Sequence, residues 1–252
     1  MDERIIPGRF VGRTVIVTGA GSGIGRASAR RLLLEGATVV GVDVSRERLD
    51  EVASEGPSEC FRMVAGDLRD ESVIAEVVAL AGDVDGLANV AGIMDGFLPL
   101  DEVDDDTWQR VMSINLDAVM RLSRAVLPGM LERGHGSIVN VTSEAGLRAS
   151  AAGTAYTVSK HAVVGLTRSA AFFYTPRGVR VNAVAPGATL TNIEAPFLSA
   201  SAAERIGPFL QISVPPPAEA HQVASAITWL LSDDASNVSG AVLAVDGGWA
   251  AV

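Results

Sequence analysis

Seven short runs rich in valine and isoleucine, at 14–18, 38–42, 60–64, 86–89, 137–141, 180–184 and 242–245, recur along the whole chain. Most are apolar at every position rather than at alternate ones. A strand tolerates that only when both of its faces are covered. The stretches between them supply the covers, because apolar residues recur with helical spacing at 23–35, 70–81, 104–132, 155–174 and 218–232. This alternation predicts an α/β fold, with a seven-stranded parallel sheet, doubly wound and carrying helices on both faces. No repeat, low-complexity linker or compositional shift divides the 252 residues, so one domain is expected over 1–252. One segment breaks the rhythm. Residues 189–217 hold Pro196, Pro208 and the triplet Pro215-Pro216-Pro217 between a strand and the next helix. A long excursion at a strand's carboxyl end is expected to form a lid over the site.

Charge and composition remove several classes of partner. The net charge is −10, which argues against nucleic acid, whose phosphates need clustered Lys and Arg. One cysteine, Cys60, excludes an intramolecular disulfide, and no Cys or His spacing suggests a metal. The start, Met1-Asp2-Glu3-Arg4, lacks the basic-then-apolar layout of a secretory leader. No apolar run approaches the roughly 18 residues of a membrane span. A cytoplasmic protein with no membrane partner is expected.

The first run leads straight into Thr18-Gly19-Ala20-Gly21-Ser22-Gly23-Ile24-Gly25, after which a helix begins. The spacing is G-x-x-x-G-x-G on Gly19, Gly23 and Gly25. Glycines permit a tight turn and close backbone approach, and the helix start offers free N–H groups to a pyrophosphate. Asp43 closes the second run. A carboxylate there accepts from both hydroxyls of an adenosine ribose and repels a 2′-phosphate, so it favours NAD(H) over NADP(H). The nearest basic residue after it is Arg46. Asp67, after the third run, is a candidate for the adenine amino group.

Chemistry enters in the second half. Ser143 follows the fifth run, and 13 residues later comes Tyr156-Thr157-Val158-Ser159-Lys160. Four apart on a helix, Tyr156 and Lys160 share a face. Lys160 is also the only lysine in the chain, the other 19 long basic side chains being arginine. The exception to that usage falls where an ammonium would serve a tyrosine.

On these motifs the chain resembles the short-chain dehydrogenase/reductase family, in its single-domain branch. The resemblance runs through Thr18–Gly25, Asn89-Val90-Ala91-Gly92, Asn115, Ser143, Tyr156, Lys160, Asn182, Pro186-Gly187 and Val245-Asp246-Gly247-Gly248, nearly the whole length. It implies a Rossmann-type fold and a catalytic set of Asn115, Ser143, Tyr156 and Lys160. It further implies cofactor contacts from Gly19, Ser22, Gly23, Ile24, Gly25, Asp43, Asp67, Leu68, Asn89, Ala91, Gly92, Pro186, Gly187, Thr189 and Thr191, besides Tyr156 and Lys160. Tyr156 would exchange a proton with the substrate oxygen while Ser143 holds that oxygen. Lys160 would bind the nicotinamide ribose, and Asn115 a water linking Lys160 to solvent. A free tyrosine titrates near ~10; the Lys160 ammonium and a positive nicotinamide are expected to lower it. The family's second asparagine before Ala91 is Val90 here.

Other candidates are weaker. His135, His161 and His221 lie far apart and lack carboxylate partners in sequence. Asp104-Asp105-Asp106 reads as a helix start. No G-x-S-x-G elbow surrounds Ser143, which argues against a hydrolase. Met94, Phe97, Leu147 and Phe197 are candidates for the substrate wall. The expected function is reversible oxidation of a secondary alcohol to a ketone with NAD(H). The alternatives are an NADPH-dependent 3-oxoacyl-thioester (acyl-carrier-protein) reductase and a non-catalytic dinucleotide sensor or scaffold. The resemblance also implies a homotetramer, with the helices of Asn115 and Tyr156 at one interface and the last strand near another.

Overall fold

Every strand of the main sheet is parallel to its neighbours, in the order β3-β2-β1-β4-β5-β6-β9. In the computed structural model, which describes residues 3–251, these are β1 (Thr14–Thr18), β2 (Thr38–Asp43), β3 (Phe61–Ala65), β4 (Gly86–Asn89), β5 (Gly136–Val141), β6 (Val179–Pro186) and β9 (Val242–Val245). Met1 and Asp2 of the leader reading lie outside the described residues. Two further short strands, β7 (Thr189–Leu190) and β8 (Ala218–Glu219), form a separate parallel ribbon.

The all-apolar runs face two packed layers. Val15, Val17, Val39 and Val139 point to one side, against Leu32 and Leu33 of α1 (Gly23–Leu34), Leu49 and Val52 of α2 (Arg46–Ser54), and Ile227 and Leu230 of α8 (Ala220–Leu231). Ile16, Val40, Leu87 and Ile138 point to the other. They meet α3 (Glu71–Ala81), α5 (Ala118–Arg133) and α6 (Thr154–Tyr174) through residues such as Val77, Leu122, Met130 and Ala171. Neighbours along a strand thus serve opposite cores, which is why alternation is absent from the sequence.

Three elements differ from expectation. Residues 104–132 are helical as expected but change pitch part-way: α4 (Asp105–Met112) passes through a wide π turn at Ser113–Asp117 directly into α5. The short, charge-rich α2 buries only Leu49 and Val52, too few apolar positions to show a period. The excursion at 189–217 contains α7 (Ala200–Ser213), obscured in sequence by Pro208 inside it and by an apolar face that buries only Ala202. The ribbon of β7 and β8 pinches the base of this excursion, so both of its ends leave from one point. Its body is tied down by Leu198 N donating to Gly96 O at 3.0 Å and Trp249 Nε1 donating to Ser213 Oγ at 3.3 Å.

Candidate active site

The strand order reverses between β1 and β4, and a crevice opens there at the carboxyl ends of the strands. Gly19 turns the chain out of β1 in the left-handed region, with φ of +65°. Gly25 packs against it so closely that a Cβ would stand 2.0 Å from the Gly19 oxygen. Thr18 Oγ1 accepts from Val90 N and Ala91 N, at 2.9 and 3.0 Å, sewing this turn to the end of β4. Sequence reasoning left Thr18 without a role; only its place at the head of the glycine motif marked it. Thr191 closes over Gly23 from the excursion, its Cβ 2.9 Å from where a Cβ on Gly23 would be.

The start of α1 is chemically open. Ser22 precedes it without a side-chain cap, and its first turn holds no acidic residue. By contrast α2, α3, α4 and α7 each begin at a Ser or Asp whose side chain accepts a backbone N–H. The N–H groups of Gly23, Ile24 and Gly25 and the positive end of the α1 dipole remain available to an anion. This bare cradle of glycine backbone fits a dinucleotide pyrophosphate.

Asp43 is almost fully buried at the end of β2. Its Oδ2 accepts from Gly21 N at 3.0 Å, and its Oδ1 from Ser45 N at 3.0 Å and Arg48 at 2.7 Å. Arg46, the base nearest in sequence, turns away to Asp50. Arg48 was out of sight because α2 was: the helix brings position 48, rather than 46, back onto the strand end. Asp67 is likewise engaged, by Arg69, which holds its carboxyl below the ordinary range. Leu68 joins the apolar layer, and the Asn89 amide is spent inside, donating to Asn140 Oδ1 at 2.8 Å and Ser123 Oγ at 3.1 Å. Across the crevice Gly187 N donates to Val245 O at 3.1 Å, and Thr189 donates to the Gly187 carbonyl at 3.1 Å.

Ser143, Tyr156, Lys160 and Asn115 converge beyond β5. Ser143 follows the strand; its hydroxyl accepts from Ala145 N at 3.1 Å and stands close enough to the Tyr156 phenol to lower that group's pKa. Lys160 donates to the Val141 carbonyl at 3.0 Å, and its Nζ lies 5.5 Å from the Tyr156 ring centroid. Asn115 sits in the π turn, fully buried. Its amide donates to Ile93 O at 2.9 Å and Ser159 Oγ at 3.2 Å and accepts from Ile93 N at 2.9 Å. Those partners leave the side chain little to offer the expected relay water. A Cβ on Gly92 would meet Asn115 Oδ1 and Lys160 Nζ, both at 3.3 Å, so the bare backbone there lets the two groups close in.

A family model for short chain dehydrogenases matches residues 13–201. The chain belongs to the short-chain dehydrogenase family. The 2,5-dichloro-2,5-cyclohexadiene-1,4-diol dehydrogenase of Sphingobium indicum is 41% identical over 250 residues, covering 96% of this chain and 98% of that one. The 3beta-hydroxysteroid dehydrogenase 2 of Eggerthella lenta is 39% identical over 253 residues, covering 96% of each. A Beutenbergia cavernae structure assigned as an NAD(P)-dependent gluconate 5-dehydrogenase, with NADP bound at low occupancy, superposes with a TM-score of 0.83 at 40% identity. It covers 97% of this chain and 100% of its own. Short-chain dehydrogenases are NAD(P)-binding oxidoreductases that act on small molecules, and this chain has their Rossmann-type sheet.

The electrostatics of this dehydrogenase correct one expectation. Lys160 does not by itself bring Tyr156 toward neutral pH. Burial pushes the phenol up to about 12; the Ser143 hydrogen bond lowers it, and the Asp95 charge adds to the rise. Burial also brings Lys160 down to about 8. Two polar groups without water each favour the uncharged form. A cavity of about 490 Å³ lies between the amino end of α6 and α7, lined by Phe97, Ala152, Gly153, Thr157, Ala202 and Ile206 among others; Ser143, Tyr156 and Lys160 are not in its wall. Phe97 stacks on Phe197 with centroids 4.3 Å apart, Met94 packs against Ala145, Ala152 and Tyr156, and Leu147 is exposed. His135 stands beside Arg13, where burial and that arginine lower its pKa, and His161 bonds the Thr157 carbonyl on its own helix. Among the described residues no cluster is composed to hold a metal, and no helix is long and apolar enough to cross a membrane.

Proposed function

We propose that this short-chain dehydrogenase reversibly oxidises a secondary alcohol to a ketone with NAD(H), using Tyr156 as acid/base. The observation that carries the reading is the convergence of the Ser143 hydroxyl, the Tyr156 phenol and the only lysine beyond the end of β5. Ser143 holds the substrate oxygen against Tyr156, which takes or returns its proton. Lys160 stabilises the phenolate and holds the nicotinamide ribose, and Asn115 fixes the backbone of Ile93 beside them. The dinucleotide, when bound, accepts or supplies the hydride. Gly19, Ser22, Gly23, Ile24 and Gly25 hold its pyrophosphate, while Ala91, Gly92, Pro186, Gly187, Thr189 and Thr191 frame the rest. The segment 189–217 covers the substrate. The exposed pair Phe172 and Phe173 at the end of α6 supports a homotetramer, which light scattering tests.

Asp43 favours NAD(H), and Arg48 favours a second reading. Its guanidinium is 38% exposed beside the ribose-facing carboxylate, placed to meet a 2′-phosphate as in an NADPH-dependent 3-oxoacyl-thioester reductase. Fluorescence titration separates the two. NADH is expected to bind at least roughly tenfold tighter than NADPH, and R48A to leave that order unchanged. Equal or tighter NADPH binding, lost in R48A, would establish the second reading. Turnover on a panel of cyclic diols, hydroxysteroids and sugar acids then narrows the substrate; its absence with every alcohol would favour a sensor.

A further inference from the structure

The helix that carries Tyr156 has no cap of its own. Gly153 stands at its N-cap position, and no acidic residue occupies its first turn. Glycine is required there by its neighbours. A Cβ at 153 would lie 2.5 Å from Asp95 Oδ2 and 2.5 Å from Leu98 N. The missing partners come instead from the loop after β4. Asp95, 1% exposed, accepts from Tyr156 N through Oδ2 at 2.9 Å and from Phe97 N through Oδ1 at 3.1 Å. Leu98 O accepts from Thr154 N at 2.9 Å. Phe97 holds φ of +59°, the one positive value outside glycine among the described residues, so the loop keeps a costly shape to make these bonds.

We propose that Asp95 is a positioning residue for Tyr156, capping the amino end of α6 from another element and thereby setting where the phenol stands. A carboxylate at a helix start accepts orphan N–H groups and complements the dipole. Here the N–H it holds belongs to the acid/base residue itself, so displacing Asp95 displaces the tyrosine backbone. The inference rests on the reading of Tyr156 as acid/base. Two charged groups face the phenol: Asp95 from this loop and Lys160 from its own helix. The other groups packed on it are the Ser143 hydroxyl and the apolar Met94, Ala145, Ala151 and Ala152.

The test is the pH dependence of alcohol oxidation in D95N, with Y156F as control. Asparagine keeps the shape but offers one acceptor oxygen to two N–H donors, and it removes a negative charge that disfavours the phenolate. Turnover is expected to fall roughly ten- to a hundredfold, and the rising limb of the profile to move to lower pH by about half a unit or more. A limb at the wild-type midpoint would overturn the proposal, whatever the rate, because a merely structural loss changes amplitude alone. Should D95N not fold, D95E decides. It keeps the charge but moves it and its acceptor oxygens by one methylene, so turnover falls and the midpoint still shifts, by less than in D95N, and wild-type turnover with the wild-type midpoint would overturn the proposal. Retained turnover in Y156F would instead remove the acid/base reading beneath it.

Discussion

Tyr156→Phe is expected to lower alcohol oxidation by about a thousandfold or more while leaving dinucleotide affinity within a few-fold. The phenylalanine ring fills the same space against Met94, Ala145 and Ala152, so folding and the crevice persist. What is lost is the one titratable hydroxyl beside Ser143. The wild-type profile carries its own expectation. Burial holds the phenol up to about 12 in the chain alone, so oxidation, which needs the phenolate, rises with pH through the alkaline range. Steady-state kinetics with NADH fluorescence titration check both halves. Unchanged turnover in the variant would end the assignment of Tyr156.

Lys160→Met is expected to abolish turnover and yet stabilise the fold at neutral pH. The folded pKa, about 8, lies below the ordinary 10.5, because the ammonium is 3% exposed. The folded chain therefore binds that proton less tightly than the unfolded chain does. Stability rises as pH climbs from about 8 to 10.5, and below 8 the charged lysine costs about 3 kcal/mol. Methionine removes the charge at similar volume but leaves the Val141 carbonyl without its donor, a loss of about 1 kcal/mol. The net gain is about 2 kcal/mol at pH 7, and by pH 10.5 it gives way to a loss of under about 1 kcal/mol. Denaturant unfolding at the two pH values, without dinucleotide, reads the difference. A variant less stable than wild type at pH 7 would refute the burial argument. A residue that weakens its own fold and supports catalysis is what a strained functional site looks like.

The sheet was legible from sequence because its signal is redundant. Most strands are apolar at successive positions, and the longer helices between them repeat an apolar face several times. The meeting of Tyr156 and Lys160 was legible for another reason, since they lie on one helix and spacing alone places them together. What escaped depends on contacts between distant segments. Arg48 meets Asp43 only through a helix with two buried residues. Asp95 meets Tyr156 N across 61 positions, through a cap that no local pattern announces. The pKa of Tyr156 escaped because proximity to a lysine is visible in sequence, whereas the loss of water around both groups is not.

The π turn at Ser113–Asp117 places Asn115 by a change in length rather than a change in residue type. A single extra residue in an otherwise regular helix lets Asn115 reach Ile93 while α4 and α5 keep their own buried faces. Removing one residue from the turn would restore even winding with α4 and α5 still in phase, and would turn Asn115 away from Ile93. Val111 on one side and Leu122 on the other would keep their layers. Single deletions across 113–117 should therefore keep the fold and lose turnover at every position, including those, such as Ser113, where substitution is mild. In that sense the asparagine is held by an arithmetic of residues per turn, and the helix remains sensitive to count where it is tolerant of kind.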